Sequence, residues 1–298
     1  MPDLNMRKIL KLSSGYELKF SPKGSYLAVL GSKVILWNLK DNTKTAFQSF
    51  ADPSSLDFSH DEKFLAIKST SGSLEIKALE TKESVFRVQR RDNGGCGPFF
   101  FEPGRQLIEG SQNGAVTILN IDEKQSLEVA HYSNALVQAM CSARNVGKIF
   151  YIVSPVATTS HLPPEPASIF CFSCEDKKIC ELAGHYHFPQ SLASSSNAEK
   201  ISITHEVEGI PSLSIIDVKM RKTLATCAIK GGRSCHWSPD DSRVAVVEEG
   251  FISVRETETL SSLEEYPLKY ASDVQFSPNG RMIAVVGWNG GSLFAIEL

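Results

Sequence analysis

The 298 residues carry 31 Lys and Arg against 34 Asp and Glu, a formal charge of −3, with 42% hydrophobic side chains. This excludes a disordered chain, and a chain of this size can bury roughly 75% of its unfolded surface without a disulfide or metal staple. The near-neutral balance supplies no global field for nucleic acid or an anionic membrane, and no apolar run approaches the ~20 residues of a membrane helix.

In chain order, residues 6–12 predict a strand with no repeat of its own. Then a phrase recurs: an alternating strand ending in an aromatic residue, Ser-Pro or a relative, a polar turn, and a second apolar strand. The first copy is Leu18-Lys19-Phe20-Ser21-Pro22-Lys23-Gly24 followed by Tyr26-Leu27-Ala28-Val29. The second is Leu56-Asp57-Phe58-Ser59-His60-Asp61 with Phe64-Leu65-Ala66-Ile67. The third is looser, Phe99-Phe100-Phe101-Glu102-Pro103-Gly104 with Gln106-Leu107-Ile108. Two weak copies follow, at 137–142 with 149–153 and at 191–195 with 201–204. The sixth is Cys235-His236-Trp237-Ser238-Pro239-Asp240 with Val244-Ala245-Val246-Val247. The seventh is Val274-Gln275-Phe276-Ser277-Pro278-Asn279-Gly280 with Met282-Ile283-Ala284-Val285.

Anchors at 20, 58, 101, 141, 194, 237 and 276 are spaced 38, 43, 40, 53, 43 and 39 residues apart. Apart from one outlier this is the length of a propeller blade. A third strand follows each second one, and a more polar fourth strand follows in six copies. The seventh copy has none, so the strand at about 6–12 is expected to complete it and close the ring, hiding the sheet edges. The fold class is thus all-β: a single domain over 1–298, a seven-bladed β-propeller of four-stranded antiparallel blades. Proline presets φ in the turns and its follower tolerates the left-handed region. The aromatic residue before the turn is expected to pack between blades. Ala28, Ala66, Ala245 and Ala284 are expected where strands crowd the central channel.

At these residues the chain resembles the WD40-repeat family along essentially its whole length. Only Trp37 holds the Trp of the Trp-Asp dipeptide, with Asn38 in place of Asp. The family's structural His–Asp network is therefore not carried over, and other propellers with a Phe-Ser-Pro-Asp-Gly-like turn stay open. The resemblance implies that the first strand of each blade is innermost. It further implies that loops entering it share one partner-binding face with loops joining second to third strands. On that face the partner-binding candidates are Arg90, Arg91, His131, Tyr132, Arg233 and Trp288, together with His161, Pro163 and Pro164 of a proline-rich insertion at 154–167. Arg, Tyr and Trp are common interface anchors, and long loops in compact folds often carry function. The plainer alternatives are a solvated strand end for Arg90 and Arg91, channel-mouth packing for Trp288 and a merely tolerated insertion.

Seven cysteines and no Asn-x-Ser/Thr acceptor do not make a secreted disulfide framework, and a cytoplasmic setting is expected. Cys171-x-x-Cys174, Cys180, His185 and His187 have residue types and spacings that zinc accepts. Because Cys171 and Cys180 fall in different predicted strands, buried structural cysteine is the better reading, and neither metal nor cofactor is expected. Gly94-Gly95-Cys96-Gly97 lacks the following helix of a phosphate site. No nucleophile elbow, phosphate loop, dinucleotide fingerprint or His-Glu-x-x-His occurs, so an enzyme is not expected.

The expected function is non-catalytic protein binding, as scaffold, adaptor or inhibitor of one partner, by a monomer or a subunit of a hetero-complex. The expected partner is another protein, with no direct nucleic-acid contact and no membrane insertion. One alternative is a toxin-neutralising immunity protein. Another is an enzyme or small-ligand-binding propeller that uses the central channel.

Overall fold

The computed structural model describes residues 5–47, 50–90, 94–101, 106–143, 146–156 and 165–297. Among them there is no α-helix, and 27 strands form antiparallel sheets. The first sheet runs β2 (Glu17–Phe20), β3 (Tyr26–Leu30), β4 (Val34–Asn38), β5 (Thr43–Phe47). The second runs β6 (Pro53–Phe58), β7 (Phe64–Ser69), β8 (Leu74–Ala78), β9 (Ser84–Val88). The third runs β10 (Phe99–Phe101), β11 (Gln106–Gly110), β12 (Ala115–Asn120), β13 (Gln125–His131).

The next sheet has seven strands: β14 (Ala135–Ala143), β15 (Lys148–Pro155), β16 (Ala167–Ser173), β17 (Ile179–Ser194), β18 (Lys200–Val207), β19 (Ile210–Asp217) and β20 (Lys222–Ala228). The 16-residue β17 serves both sides. Its first half pairs with β16, from Ile179↔Phe172 to Tyr186↔Ala167. Its second half pairs with β18, from His187↔Glu206 to Ser194↔Ile201. Between them the backbone is kinked, with φ of +73° at His185 and +44° at Phe188.

A further sheet holds β21 (Cys235–Trp237), β22 (Arg243–Glu248), β23 (Phe251–Glu256) and β24 (Ser262–Pro267). The last joins both chain ends: β25 (Ala271–Phe276), β26 (Met282–Gly287) and β27 (Gly290–Glu297), with β1 (Asn5–Leu12) on the outer edge from Asn5↔Glu297 to Leu12↔Gly291. First strands neighbour one another in sequence order. β2 lies against β6, β6 against β10, the third sheet against β14, β14 against β17, β17 against β21, β21 against β25, and β25 against β2.

Apolar side chains pack in layers between adjacent sheets, as twisted sheets around an axis require. Phe20 lies with Ala284, Val286 and Leu293 of the last sheet, Phe58 with Ala28 and Leu30 of the first, and Trp237 with Leu213 and Ile215 of β19. The aromatic anchors thus sit between sheets, as the sequence predicts. The four alanines do not crowd the channel: Ala28, Ala66, Ala245 and Ala284 are fully buried in these inter-sheet layers, on second strands. Their small size sets the spacing between sheets.

The turns after five of the first strands are built on serine. Ser21, Ser59, Ser195, Ser238 and Ser277 each accept at Oγ from the N–H five residues on, at 2.9–3.0 Å. Three residues after each serine stand Gly24, Glu62, Ala198, Asp241 and Gly280, all at φ between +58° and +75°.

Candidate interaction face and central channel

Loops entering the first strands lie beside turns joining second to third strands, and the backbone ties them together. Thr70 N–H donates to Asp52 O, Gln112 to Gly94, Val156 to Asn134, Glu249 to Lys230 and Trp288 to Tyr270, at 2.5–3.2 Å. One contact crosses the ends of the chain, from Gly15 N–H to Gly287 O at 3.1 Å. Both glycines are needed there: a Cβ on Gly15 would come within 2.5 Å of Leu30 O, and one on Gly287 within 2.3 Å of Tyr270 O. These loops make one face.

On that face Trp288 is 63% and Tyr270 64% exposed, and the Tyr16 ring stands 6.5 Å from the indole. Trp288 therefore projects into solvent beside the junction of the last and first sheets. Trp288 and Tyr270 thus stand as two large, exposed aromatic groups on this face. Lys33, Lys230, Arg233 and Lys269 are exposed in loops of the same face, and Arg233 also lines the channel mouth. His131 is exposed with Nδ1 3.4 Å from Glu128 Oε1.

Other candidates are held inward. Arg90 Nη1 engages Glu109 Oε1, and Glu109 Oε2 lies 3.1 Å from Lys68 Nζ, whose side chain is buried. Lys68 also donates to Gly110 O at 2.9 Å. Arg90 is thus the partly exposed end of a buried ionic cluster between the second and third sheets. Tyr132 bonds Tyr151 hydroxyl to hydroxyl at 2.8 Å and packs 4.8 Å from the Phe170 ring. Burial raises the Tyr132 phenol above its ordinary value. Arg91, His161, Pro163 and Pro164 lie outside the described residues. Sequence reasoning missed Tyr16 and Tyr270; their positions in loops entering first strands are the signal that could have found them.

The channel holds a cavity of about 440 Å³, lined by residues including Tyr16, Glu17, Lys19, Gln138, Cys141, Arg233, His236 and Asp273. Around it, polar side chains of one first strand accept backbone N–H groups of the next. Glu17 Oε1 accepts from Leu56 N–H at 3.3 Å and from Ser55 Oγ at 3.1 Å. Asp57 Oδ2 accepts from Phe100 at 2.9 Å, Ser191 Oγ from Cys235 at 3.1 Å and His236 Nδ1 from Phe276 at 3.3 Å. Gln275 Oε1 accepts from Phe20 at 3.3 Å. Lys19 Nζ sits 3.7 Å from Asp57 Oδ1.

Desolvation pushes the Glu17 carboxyl up to about 8, with the Asp273 charge adding to it. Asp273 rises to about 6 by burial. Burial, with Lys19 nearby, lowers His236 to about 4. Among the described residues no three His, Cys, Asp or Glu side chains gather as metal ligands. Among them also no helix is long and apolar enough to cross a membrane.

No protein-family model matches the chain, and no curated protein matches its sequence. Solved structures do match in shape. One is titled as Kuenenia stuttgartiensis hydrazine synthase, with a TM-score of 0.79 at 12% identity, covering 95% of this chain and 96% of that one. A chain of the mitotic checkpoint complex gives 0.76 at 14%, covering 99% and 97%. The WD40 repeats of RRP9 give 0.76 at 14%, covering 99% and 98%. At such identities the likeness shows fold alone: this chain has a WD40-like β-propeller fold.

Proposed function

We propose that the chain is a single-domain, seven-bladed propeller that binds another protein through its loop face, without catalysis. Counting the two halves of β17 separately turns the seven-stranded sheet into two four-stranded units and the total into seven. Seven apolar clusters among the described residues, each between neighbouring units, support that count.

The observation that carries the binding reading is the exposed pair Trp288 and Tyr270, with the half-buried Tyr16 beside the indole and Lys33, Lys230, Arg233 and Lys269 on the same face. Aromatic anchors ringed by cations suit an acidic protein surface with apolar side chains, and a rigid propeller loses little ordering entropy on binding it. The WD40-like neighbours, one of them a chain of the mitotic checkpoint complex, have a kind of fold used for such scaffolding. We place the protein in the cytoplasm, as a monomer or a subunit of a hetero-complex.

The test is affinity purification of the tagged chain from its host at ~0.15 M and ~0.5 M salt, beside a Trp288→Ala/Tyr270→Ala variant. A stoichiometric partner retained by the wild type and lost from the variant supports the reading. No partner at either salt overturns it and favours the second reading, a small ligand in the channel. That reading draws on the cavity of about 440 Å³ walled by Glu17, Lys19, His236 and Asp273.

A further inference from the structure

The binding face makes no use of the cysteines on the β16–β17 hairpin. Cys171 on β16 and Cys180 on β17 are direct register partners. Opposed residues of an antiparallel pair point to the same side of the sheet, with Cα atoms ~4.5–5.5 Å apart, inside the range a disulfide spans. Cys180 is exposed and Cys171 is buried beneath it. Cys174, in the turn between them, is buried against the cluster of Phe101, Tyr151 and Phe172.

We propose that Cys171 and Cys180 form a reversible cross-strand disulfide by exchange with a low-molecular-weight disulfide such as glutathione disulfide. Accessibility sets the order of events, because exchange needs a thiolate that can reach the incoming sulfur. Cys180 gives its proton to water, and its thiolate attacks one sulfur of the small disulfide. That S–S bond breaks, and one small thiolate leaves and takes up a proton. Cys171 then gives up its proton and attacks the Cys180 sulfur, expelling the second small thiolate, which is protonated in turn. Two protein thiols are oxidised to one disulfide while one small disulfide is reduced to two thiols. Burial holds the Cys171 thiol up near 12, which suits it to the second, intramolecular step and not to the first. The thiols of Cys96, Cys141 and Cys235 are raised by burial as well, and the register sets Phe150 opposite Cys141 and Val246 opposite Cys235.

The test uses the full native chain, equilibrated with chelator and a series of glutathione to glutathione disulfide ratios, then acid-quenched, alkylated in denaturant and mapped without reduction by mass spectrometry. The expected result is a peptide pair joined through Cys171 and Cys180, lighter by two hydrogens, whose share follows the redox ratio and survives in Cys174→Ser. In Cys171→Ser, Cys180 should instead persist as the glutathione mixed disulfide. The proposal is overturned if wild-type Cys180 accumulates as the mixed disulfide while Cys171 is alkylated, or if the link runs through Cys174. The wild-type map decides even where Cys171→Ser fails to fold.

Discussion

Asp273 accepts a hydrogen bond from the Leu18 N–H at 2.9 Å, across 255 positions of sequence. Its other oxygen accepts from Ser234 Oγ at 2.5 Å and Val274 N–H at 2.9 Å. One carboxylate therefore ties β25, β2 and the residue entering β21 together at the place where the ring closes. Both Asp273 and Leu18 are buried. Asp273→Ala would leave the Leu18 N–H without its acceptor, and an orphaned buried donor costs about 1–3 kcal/mol. The expected loss of stability is about 2–3 kcal/mol, read as a lower denaturant midpoint at unchanged slope. An unchanged midpoint would remove Asp273 from the closure of the ring.

Glu17 predicts a pH dependence with a definite sign. Its carboxyl stands at 4.5 when unfolded and about 8 when folded. Between those values the folded chain holds a proton that the unfolded chain has released. Stability from this group is full below 4.5 and falls as pH rises through about 8. Since the side chain borders an open cavity, solvent screens part of the shift, leaving on the order of 2 kcal/mol. Glu17→Gln cannot ionise, so its unfolding free energy should be flatter than wild type from pH 5 to 9, and higher at the alkaline end. Parallel profiles would mean that Glu17 is ionised in the fold throughout.

The repeat was legible because its turn chemistry is local. The aromatic-Ser-Pro phrase stands complete in three copies, yet the element shared by five turns is the serine hydroxyl, which closes the same turn at Ser195 where both aromatic and proline are missing. That is why the fifth copy reads weakly while its turn is as regular as the others. The fusion at β17 was hidden, because a kinked continuous strand has the same polar composition as an outer strand followed by a loop. Gly184-His185 lies at that junction. The acceptors around the channel were illegible for a different reason. Leu18 and Asp273 meet through the ring, and no periodicity within either segment encodes the meeting.

Between the second and third sheets, Glu109 neutralises two cations, Lys68 at 3.1 Å and Arg90. The Lys68 side chain is 1% exposed, so removing its carboxylate leaves a buried ammonium with, among the described residues, the Gly110 and Cys96 carbonyls. Breaking a buried pair from one side costs about 3–5 kcal/mol. Glu109→Ala should therefore destabilise by about 3 kcal/mol or more in thermal or denaturant unfolding. A Lys68→Met/Glu109→Leu/Arg90→Met triple variant should recover most of that loss, since well-packed apolar groups often replace buried ions without penalty. Failure to recover would mean that packing at this site matters more than charge.

Trp288 and Tyr270 separate binding from stability. Their rings are 63% and 64% exposed, so truncating them removes little buried surface. Trp288→Ala and Tyr270→Ala should each shift stability by less than ~0.5 kcal/mol, as surface substitutions do. An interface anchor of this type is worth about 2 kcal/mol or more, a loss of at least ~30-fold in affinity. Arg233→Glu should act differently. As an exposed cation at the channel mouth it would steer an acidic partner, so reversal should slow association most at low salt and less at high salt. Stopped-flow association at two ionic strengths resolves the cases. A loss from Trp288→Ala confined to dissociation, with a salt-dependent association defect in Arg233→Glu, identifies aromatic anchors within a cationic rim. Normal binding by both variants, with normal folding, would place the partner's contact on another part of the propeller.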